Sequence, residues 1–331
     1  MKNEKAAALI LSLVVVASVA VVRAVAAGEW DLANLDRRQA ESGIAFGPET
    51  EFFAAGLHGD GAVFAIIAAD PFGTDEGKAI YVPEYRYQRA GYSWAVAGVV
   101  FGQENFLLAG LAVVGLLSVG GVIFIAHRQR DRLGMRSWLL LVNPALYIGA
   151  LNDTAEPLAI LLLTAAFVSS GVWSSLGLAF VRPSYVVGLA DRPGRFFAAL
   201  GAAVLMRLVW SLHFDGSFFT TVGNIGLPFV GFVSEPSLLG FLVLFAGVTT
   251  FATGVRTRSW AWILSGLLVV CLSASVFVVP THAVRAAGML PVLWAFYGHN
   301  QPRASQAVRL KRRSTHLPTG RPTIDPAGGN Q

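Results

Sequence analysis

The chain has 331 residues, of which 54% are hydrophobic and only 14% are charged. A soluble globular domain carries about 25% charged residues, so this composition, together with several long apolar runs, indicates a membrane protein. The formal net charge is +5. The basic residues fall in short loops and in the C-terminal tail, where the positive-inside rule expects them, which argues against nucleic acid as a partner.

The apolar runs predict an all-α fold. In lipid, a helix satisfies its backbone hydrogen bonds within one segment, and these runs are longer than the strands of a barrel. Residues 1–298 are therefore predicted to form a transmembrane helical bundle of about eight to ten spans. Residues 299–331 are polar and rich in proline and glycine, which predicts a disordered, basic cytoplasmic tail.

The first span is predicted over residues 6–27, with Lys2 and Lys5 before it. Because this run is longer than the roughly 7–15 residues of a signal-peptide core, an uncleaved helix with a cytoplasmic N-terminus is preferred over a cleaved signal peptide. Residues 28–90 then form a large first extracytoplasmic loop.

The next elements support this orientation. Residues 91–102 suit a short helix at the membrane face, and residues 106–126 are long enough to span. The segment HRQRDRLGMR (127–136) follows with four arginines, which marks a cytoplasmic loop. Both termini are then predicted to be cytoplasmic in a multi-pass protein of the plasma membrane.

The path becomes ambiguous after the Asn143-Pro144 pair, where proline is predicted to break the helix. Residues 158–172 and 176–190 form either two short spans or one long broken span. Two spans would place the basic segment DRPGR (191–195) outside, against the positive-inside rule. Both routes bring the RTRS turn (256–259) back to the cytoplasm.

Ionisable residues concentrate in the first extracytoplasmic loop. Asp60 lies between two glycines, and Asp70 ends an apolar segment. The sequence YRYQR (85–89) then places Arg86 and Arg89 three residues apart, where a helix would present both on one face. Guanidinium groups grip phosphate oxygens in a bidentate way, and interleaved tyrosines such as Tyr87 suit a membrane interface or a sugar face.

These motifs carry a resemblance to a known family. The order DG, an apolar segment, IA and DPF, followed by YRYQR, is similar to the first outer loop of bacterial cell-surface glycopolymer formation proteins, which in turn resemble membrane glycosyltransferases of the GT-C class, including mannosyltransferase-like members. The resemblance covers roughly residues 50–235. Three further segments carry it: LVNPALYIGALNDTAEPLAILLL (141–163), LAFVRPSYVVGLA (178–190) and NIGLPFVGF (224–232).

The resemblance implies a catalytic acid in the first outer loop. By position Asp60 is the candidate base, and Asp70 is its partner or a structural cap. The adjacent pair of acids typical of many GT-C enzymes is absent here. A divalent cation and a metal-independent base therefore both stay open.

Three further residues are candidates for substrate binding. Arg182 lies within an apolar run, where a charge is costly unless it is paired or hydrated, so it binds the donor phosphate or pairs with a buried acid. Asp153 and Glu156 are expected at the outer mouth of a helix hairpin, where they position acceptor hydroxyls or cap the helix before Pro157.

The resemblance implies an inverting glycosyltransferase that moves a sugar from a polyprenyl-phosphate donor to an extracytoplasmic cell-surface glycan. Lipid-linked sugar, glycan acceptor and bilayer would be its partners. A transporter or flippase for a lipid-linked sugar is the first rival, and a non-catalytic partner in glycan assembly is the second.

Overall fold

The computed structural model describes residues 2–27, 59–74, 80, 82–103, 106–217, 227–234, 236–273, 276 and 280–297. Within these segments the side chain of Asp60 is not described. The predicted tail (299–331) and the first part of the outer loop (28–58) lie outside the described residues, and what the sequence predicts for them stays a prediction.

The described chain is helical, and its only extended pairing is an isolated bridge at Leu272. Two 3₁₀ helices, Gly134–Arg136 and Pro183–Leu189, interrupt the α-helices. The α-helices are α1 Lys2–Ala27, α2 Gly59–Ala69, α3 Pro83–Tyr87, α4 Gly91–Val99, α5 Leu107–Arg128, α6 Arg130–Leu133, α7 Ser137–Leu141, α8 Pro144–Leu151, α9 Glu156–Val168, α10 Trp173–Val181, α11 Pro193–His213, α12 Val230–Ser234, α13 Leu238–Thr257, α14 Trp260–Val270, α15 Pro280–Ala286 and α16 Met289–Tyr297.

Three helices of the described chain are long and apolar enough to cross a membrane: Ala109–Arg128 within α5, α11 and α13. Only 22% of the apolar stretch of α11 and 28% of that of α13 are buried inside the protein. Large apolar side chains on α11, such as Phe197, Leu205 and Leu212, are exposed, as expected for a helix that faces lipid. The protein is therefore an all-α membrane protein, and the number of spans stays a prediction.

The Asn143-Pro144 break is confirmed. Helix α7 ends at Leu141 and α8 begins at Pro144. The side-chain oxygen of Asn143 accepts the backbone N–H of Ala145 at 3.2 Å, so Asn143 caps the new helix where proline ended the old one.

Three basic loops meet at one end of the bundle, which we call the basic end. The carboxylate of Asp191 accepts hydrogen bonds from the Ser259 hydroxyl and from the Ala261 N–H. Arg132 lies within electrostatic range of Arg192. The segments 127–136, 191–195 and 256–259 therefore lie together, in agreement with the positive-inside pattern.

The ambiguous segment after α9 follows neither expected route. Arg192 donates to the carbonyl of Ala166 at 2.7 Å, near the C-terminal end of α9, so residues 191–195 lie at that end. Helix α10 runs back from there until Arg182 contacts Glu156, at the start of α9. A 3₁₀ helix then returns to the basic end, because Pro183 cannot continue α10. The alternative of a second, unbroken span over residues 176–190 is therefore wrong. Residues 191–195 lie at the basic end, on the side where the alternative of one broken span places them.

Candidate functional site

A buried carboxylate holds two arginines where three helices are interrupted. Glu156, fully buried, begins α9, Arg182 follows the last residue of α10, and Arg285 lies in the last turn of α15. Glu156 Oε1 lies 3.1 Å from Arg182 Nη1 and 3.3 Å from Arg285 Nε. We call these three residues the glutamate–arginine cluster. One carboxylate thus serves two guanidinium groups.

Two hydrogen bonds fix the turn that carries Arg285. The hydroxyl of Tyr185 donates to the backbone carbonyl of Arg285 at 2.6 Å, and Asn143 Nδ2 donates to the carbonyl of Gly288 at 2.8 Å. Both donors are fully buried. A Cβ at Gly288 would lie 2.5 Å from the Tyr185 hydroxyl, so this close approach requires glycine.

Glu156 depends on a second glycine, Gly149 of α8. A Cβ there would lie 2.6 Å from Pro157 and 3.1 Å from Glu156 Cβ. Gly149→Ala is expected to destabilise the protein by about 1–3 kcal/mol, because the extra methyl group overpacks the start of α9. Thermal unfolding in detergent measures this effect.

Gly201→Ala is the matched control, because Gly201 lies within α11 and a Cβ there would meet nothing within 4 Å. This substitution should stabilise by about 0.5–1 kcal/mol through helix propensity alone. Equal behaviour of the two variants would contradict the close contact at Gly149.

Arg86 and Arg89 converge on a tyrosine beside the cluster. The guanidinium carbon of Arg89 lies 5.0 Å from the centre of the Tyr85 ring, and that of Arg86 lies 5.9 Å from it. Both distances are within the range of a cation–π interaction. Tyr85 also lies within electrostatic range of Arg182. The two arginines of YRYQR and the predicted Arg182 thus belong to one electropositive region.

Arg207 of α11 holds the short helix α3 in place. Its guanidinium group donates to the carbonyls of Glu84 at 3.1 Å and Ser217 at 3.2 Å. These bonds tie α3, and hence Tyr85, to a long helix of the bundle. Arg207 therefore supports the site rather than forming it.

Tyr87 and Asp70 serve the packing of the outer loop. The Tyr87 hydroxyl donates to the backbone carbonyl of Asp70 at 2.6 Å, and its ring packs against Trp210 and Phe214. Burial raises the pKa of this hydroxyl, and the charge of Asp70 raises it further. The expectation that Tyr87 contacts substrate is therefore corrected, since its side chain is fully buried in the loop scaffold.

Asp70 was predicted to be either the partner of Asp60 or a structural cap, and its described contacts are those of a structural residue. Its carboxylate accepts the N–H of Thr74 at 3.0 Å and the Thr74 hydroxyl at 3.1 Å. These two bonds hold the turn that follows α2.

Asp153 is buried in the turn before Glu156. Its backbone is left-handed, with φ of 53°, a conformation that costs a non-glycine residue energy. Only 3% of Asp153 is exposed. The turn between α8 and α9 therefore brings two buried acids within three residues of each other.

The predicted base cannot be assigned contacts. Asp60 is the second residue of α2, but its side chain lies outside the described part, so its role stays a prediction. Among the described residues, no group of three histidine, cysteine, aspartate or glutamate side chains could hold a metal ion.

The glutamate–arginine cluster lies partway along the neighbouring helices. Arg192 contacts Ala166 at the basic end, roughly 15 Å along α9 from Glu156. In the other direction, Gly115 of α5 packs against Ala150, and Leu107, where α5 begins, lies roughly 12 Å further. The position of Glu156 at the outer mouth of a helix hairpin stays a prediction.

Sequence reasoning missed Arg285 and Tyr185. Arg285 is an ionisable residue in an apolar segment, and the rule that singled out Arg182 would have found it. Tyr185 lies in an apolar segment, and no local pattern shows that its hydroxyl bonds to Arg285 a hundred residues further along the chain.

The described charged side chains of this region that are at least 85% buried are five arginines and three acids: Arg86, Arg89, Arg182, Arg207, Arg285, Glu84, Asp153 and Glu156. Guanidinium groups gathered in this way can bind the oxygen atoms of an anion.

The chain matches no protein-family model, no curated protein and no solved structure. The class of the protein is therefore defined by its fold and its candidate site alone. It is an all-α membrane protein in which a buried glutamate holds two arginines.

Proposed function

We propose that the protein is an integral-membrane glycosyltransferase of GT-C type. It moves a sugar from a polyprenyl-phosphate donor to a cell-surface glycan acceptor on the extracytoplasmic side of the plasma membrane. The observation that carries the proposal is that Arg182 and Arg285 share the buried carboxylate of Glu156, near the tyrosine that Arg86 and Arg89 approach. Guanidinium groups gathered in an apolar setting favour a ligand with a phosphate group.

A polyprenyl-phosphate sugar fits this setting in both of its parts. Its hydrocarbon chain partitions into lipid, and the exposed apolar faces of α11 and α13 border the bundle. Its phosphate group needs hydrogen-bond donors below the level of the lipid head groups. Arg182 and Arg285 are the candidates for these donors. The sugar would then sit between these arginines and α2, the helix that carries Asp60.

The proposed reaction is a single displacement. The Asp60 carboxylate takes the proton of an acceptor hydroxyl, whose oxygen forms a bond to the anomeric carbon. The bond from that carbon to the phosphate oxygen breaks, and its electron pair leaves with polyprenyl phosphate. Arg86, Arg89 and Arg182 neutralise the charge that grows on the phosphate, and the anomeric configuration inverts.

Arg182→Gln tests the proposal. Membranes with full-length protein receive polyprenyl-phosphate hexoses labelled in the sugar, with crude envelope glycan as acceptor. The parent should release polyprenyl phosphate, and Arg182→Gln should do so about 10²–10³-fold more slowly, because a donor to the leaving group is lost.

The matched control is Arg256→Gln, which removes the same charge from an exposed position at the basic end and should keep the parental rate. A parent that never cleaves the sugar–phosphate bond contradicts the proposal and leaves the flippase and the non-catalytic role in glycan assembly.

A flippase for a lipid-linked sugar is the second candidate. The helix interruptions at Asn143, Arg182 and Arg285 favour it, since transporter sites form where broken helices meet near the middle of the bilayer. Proteoliposomes distinguish the two. A flippase moves the labelled donor to the opposite leaflet intact, whereas a transferase cleaves it.

A further inference from the structure

The basic end exposes a dense array of arginines that the proposed function does not use. We define the basic face by six exposed residues: Arg128, Arg130, Arg132, Arg136, Arg256 and Arg258. The two loops that carry them contain a single carboxylate, Asp131. The nearby carboxylate of Asp191 is already engaged by Ser259 and Ala261, so it does little to neutralise this face.

Two other arginines at this end have structural partners and do not belong to the face. Arg192 donates to the carbonyls of Ala166 and Phe167, and its guanidinium group lies 4.6 Å from the centre of the Phe167 ring. Arg195 donates to the carbonyl of Ser169 at 2.6 Å. These bonds cap the C-terminal end of α9, where carbonyls lack helical partners.

Three exposed tryptophans lie in or beside the loops at the basic end. Trp138 is 53% exposed, Trp173 80% and Trp260 63%. Trp138 and Trp260 each follow an arginine of the face by two residues, and Trp173 begins α10 beside the loop that Arg195 contacts. Exposed tryptophans at one level of a membrane protein mark the head-group region, where the ring is partly apolar and partly hydrated.

We infer that the basic face binds the phosphate groups of anionic phospholipids. The tryptophans place the arginines at head-group depth, and guanidinium groups bind phosphate oxygens in a bidentate way. An acidic protein segment would need the same charge. However, the arginines are spread over two loops and ringed by tryptophans, which fits many small head groups better than one peptide strand.

Native mass spectrometry tests this surface on the full chain. The protein is reconstituted with equal phosphatidylcholine and phosphatidylglycerol, released in detergent, and the retained lipids are counted. The parent should retain phosphatidylglycerol in preference. Replacing Arg130, Arg132, Arg256 and Arg258 together by Gln should remove that preference, since each basic residue near an anionic surface contributes about fivefold to binding.

The control replaces the same four arginines by Lys. Because Lys keeps the positive charge, the preference for phosphatidylglycerol should persist. Equal retention of the two lipids by the parent, or undiminished preference in the Gln variant, overturns the inference. The inference is also overturned if the parent shows no lipid preference but binds a polyglutamate peptide, and the Gln variant loses that binding. Such a result points to an acidic protein partner. None of these outcomes depends on sugar transfer, so the inference stands or fails separately from the proposed function.

Discussion

Replacing Glu156 by Gln is expected to lower the free energy of unfolding by about 3–5 kcal/mol. Glu156 is fully buried and its Oε1 lies within 3.3 Å of a guanidinium nitrogen of both Arg182 and Arg285. Gln keeps the size of the side chain but removes the charge. Two buried arginines then lose the carboxylate that they share.

Denaturant unfolding in detergent micelles measures this loss, with Asp131→Asn as the control. Asp131 is exposed at the basic end, so its change should stay within about 0.5 kcal/mol. A Glu156→Gln variant as stable as the parent would contradict the ion pairing described above.

Inorganic phosphate adds a second readout to the same variant. If the cluster accepts an anion, millimolar phosphate should stabilise Glu156→Gln more than it stabilises the parent, because the variant has one more uncompensated positive charge. Sodium chloride at matched ionic strength controls for screening. An equal response of both proteins would indicate that the arginines are closed to ligands.

The features that the sequence predicted well are those decided by local chemistry. Proline ends a helix wherever it occurs, so the break at Pro144 followed from one residue. The placement of segments 127–136 and 256–259 on one side followed from the cost of placing arginine in lipid, whereas the sequence left the side of residues 191–195 open. Arg182 was singled out by the same cost.

The errors arose where tertiary packing decides. A helix as short as α3 presents residues on all sides, so spacing alone could not show which residues face the candidate site. Arg86 approaches the ring of Tyr85, whereas Tyr87 packs against Trp210 of α11. Hydropathy could not show that the chain turns at Arg182, since both halves of residues 176–190 are apolar. Arg285 joins Glu156 across more than a hundred residues, a pairing that no local pattern contains.

Asp60→Asn should lower sugar transfer by about 10²–10⁴-fold, because an amide cannot accept the proton of the attacking hydroxyl. Asn has the size of Asp, so the start of α2 should be preserved. Binding of the labelled polyprenyl-phosphate hexose, followed by filter retention, should remain close to the parental value, because the phosphate is held by arginines rather than by Asp60.

Asp70→Asn is the matched control, since it makes the same chemical change ten residues further along the same loop. The Asp70 carboxylate accepts two hydrogen bonds from Thr74, and the amide oxygen of Asn can still accept them. This variant should therefore lose about 0.5–1.5 kcal/mol of stability and keep its transfer rate. If Asp60→Asn turns over normally while Asp70→Asn does not, the base lies at the end of α2 rather than at its start. Losses of equal size in both would instead mean that the loop as a whole, and no single acid, sustains activity.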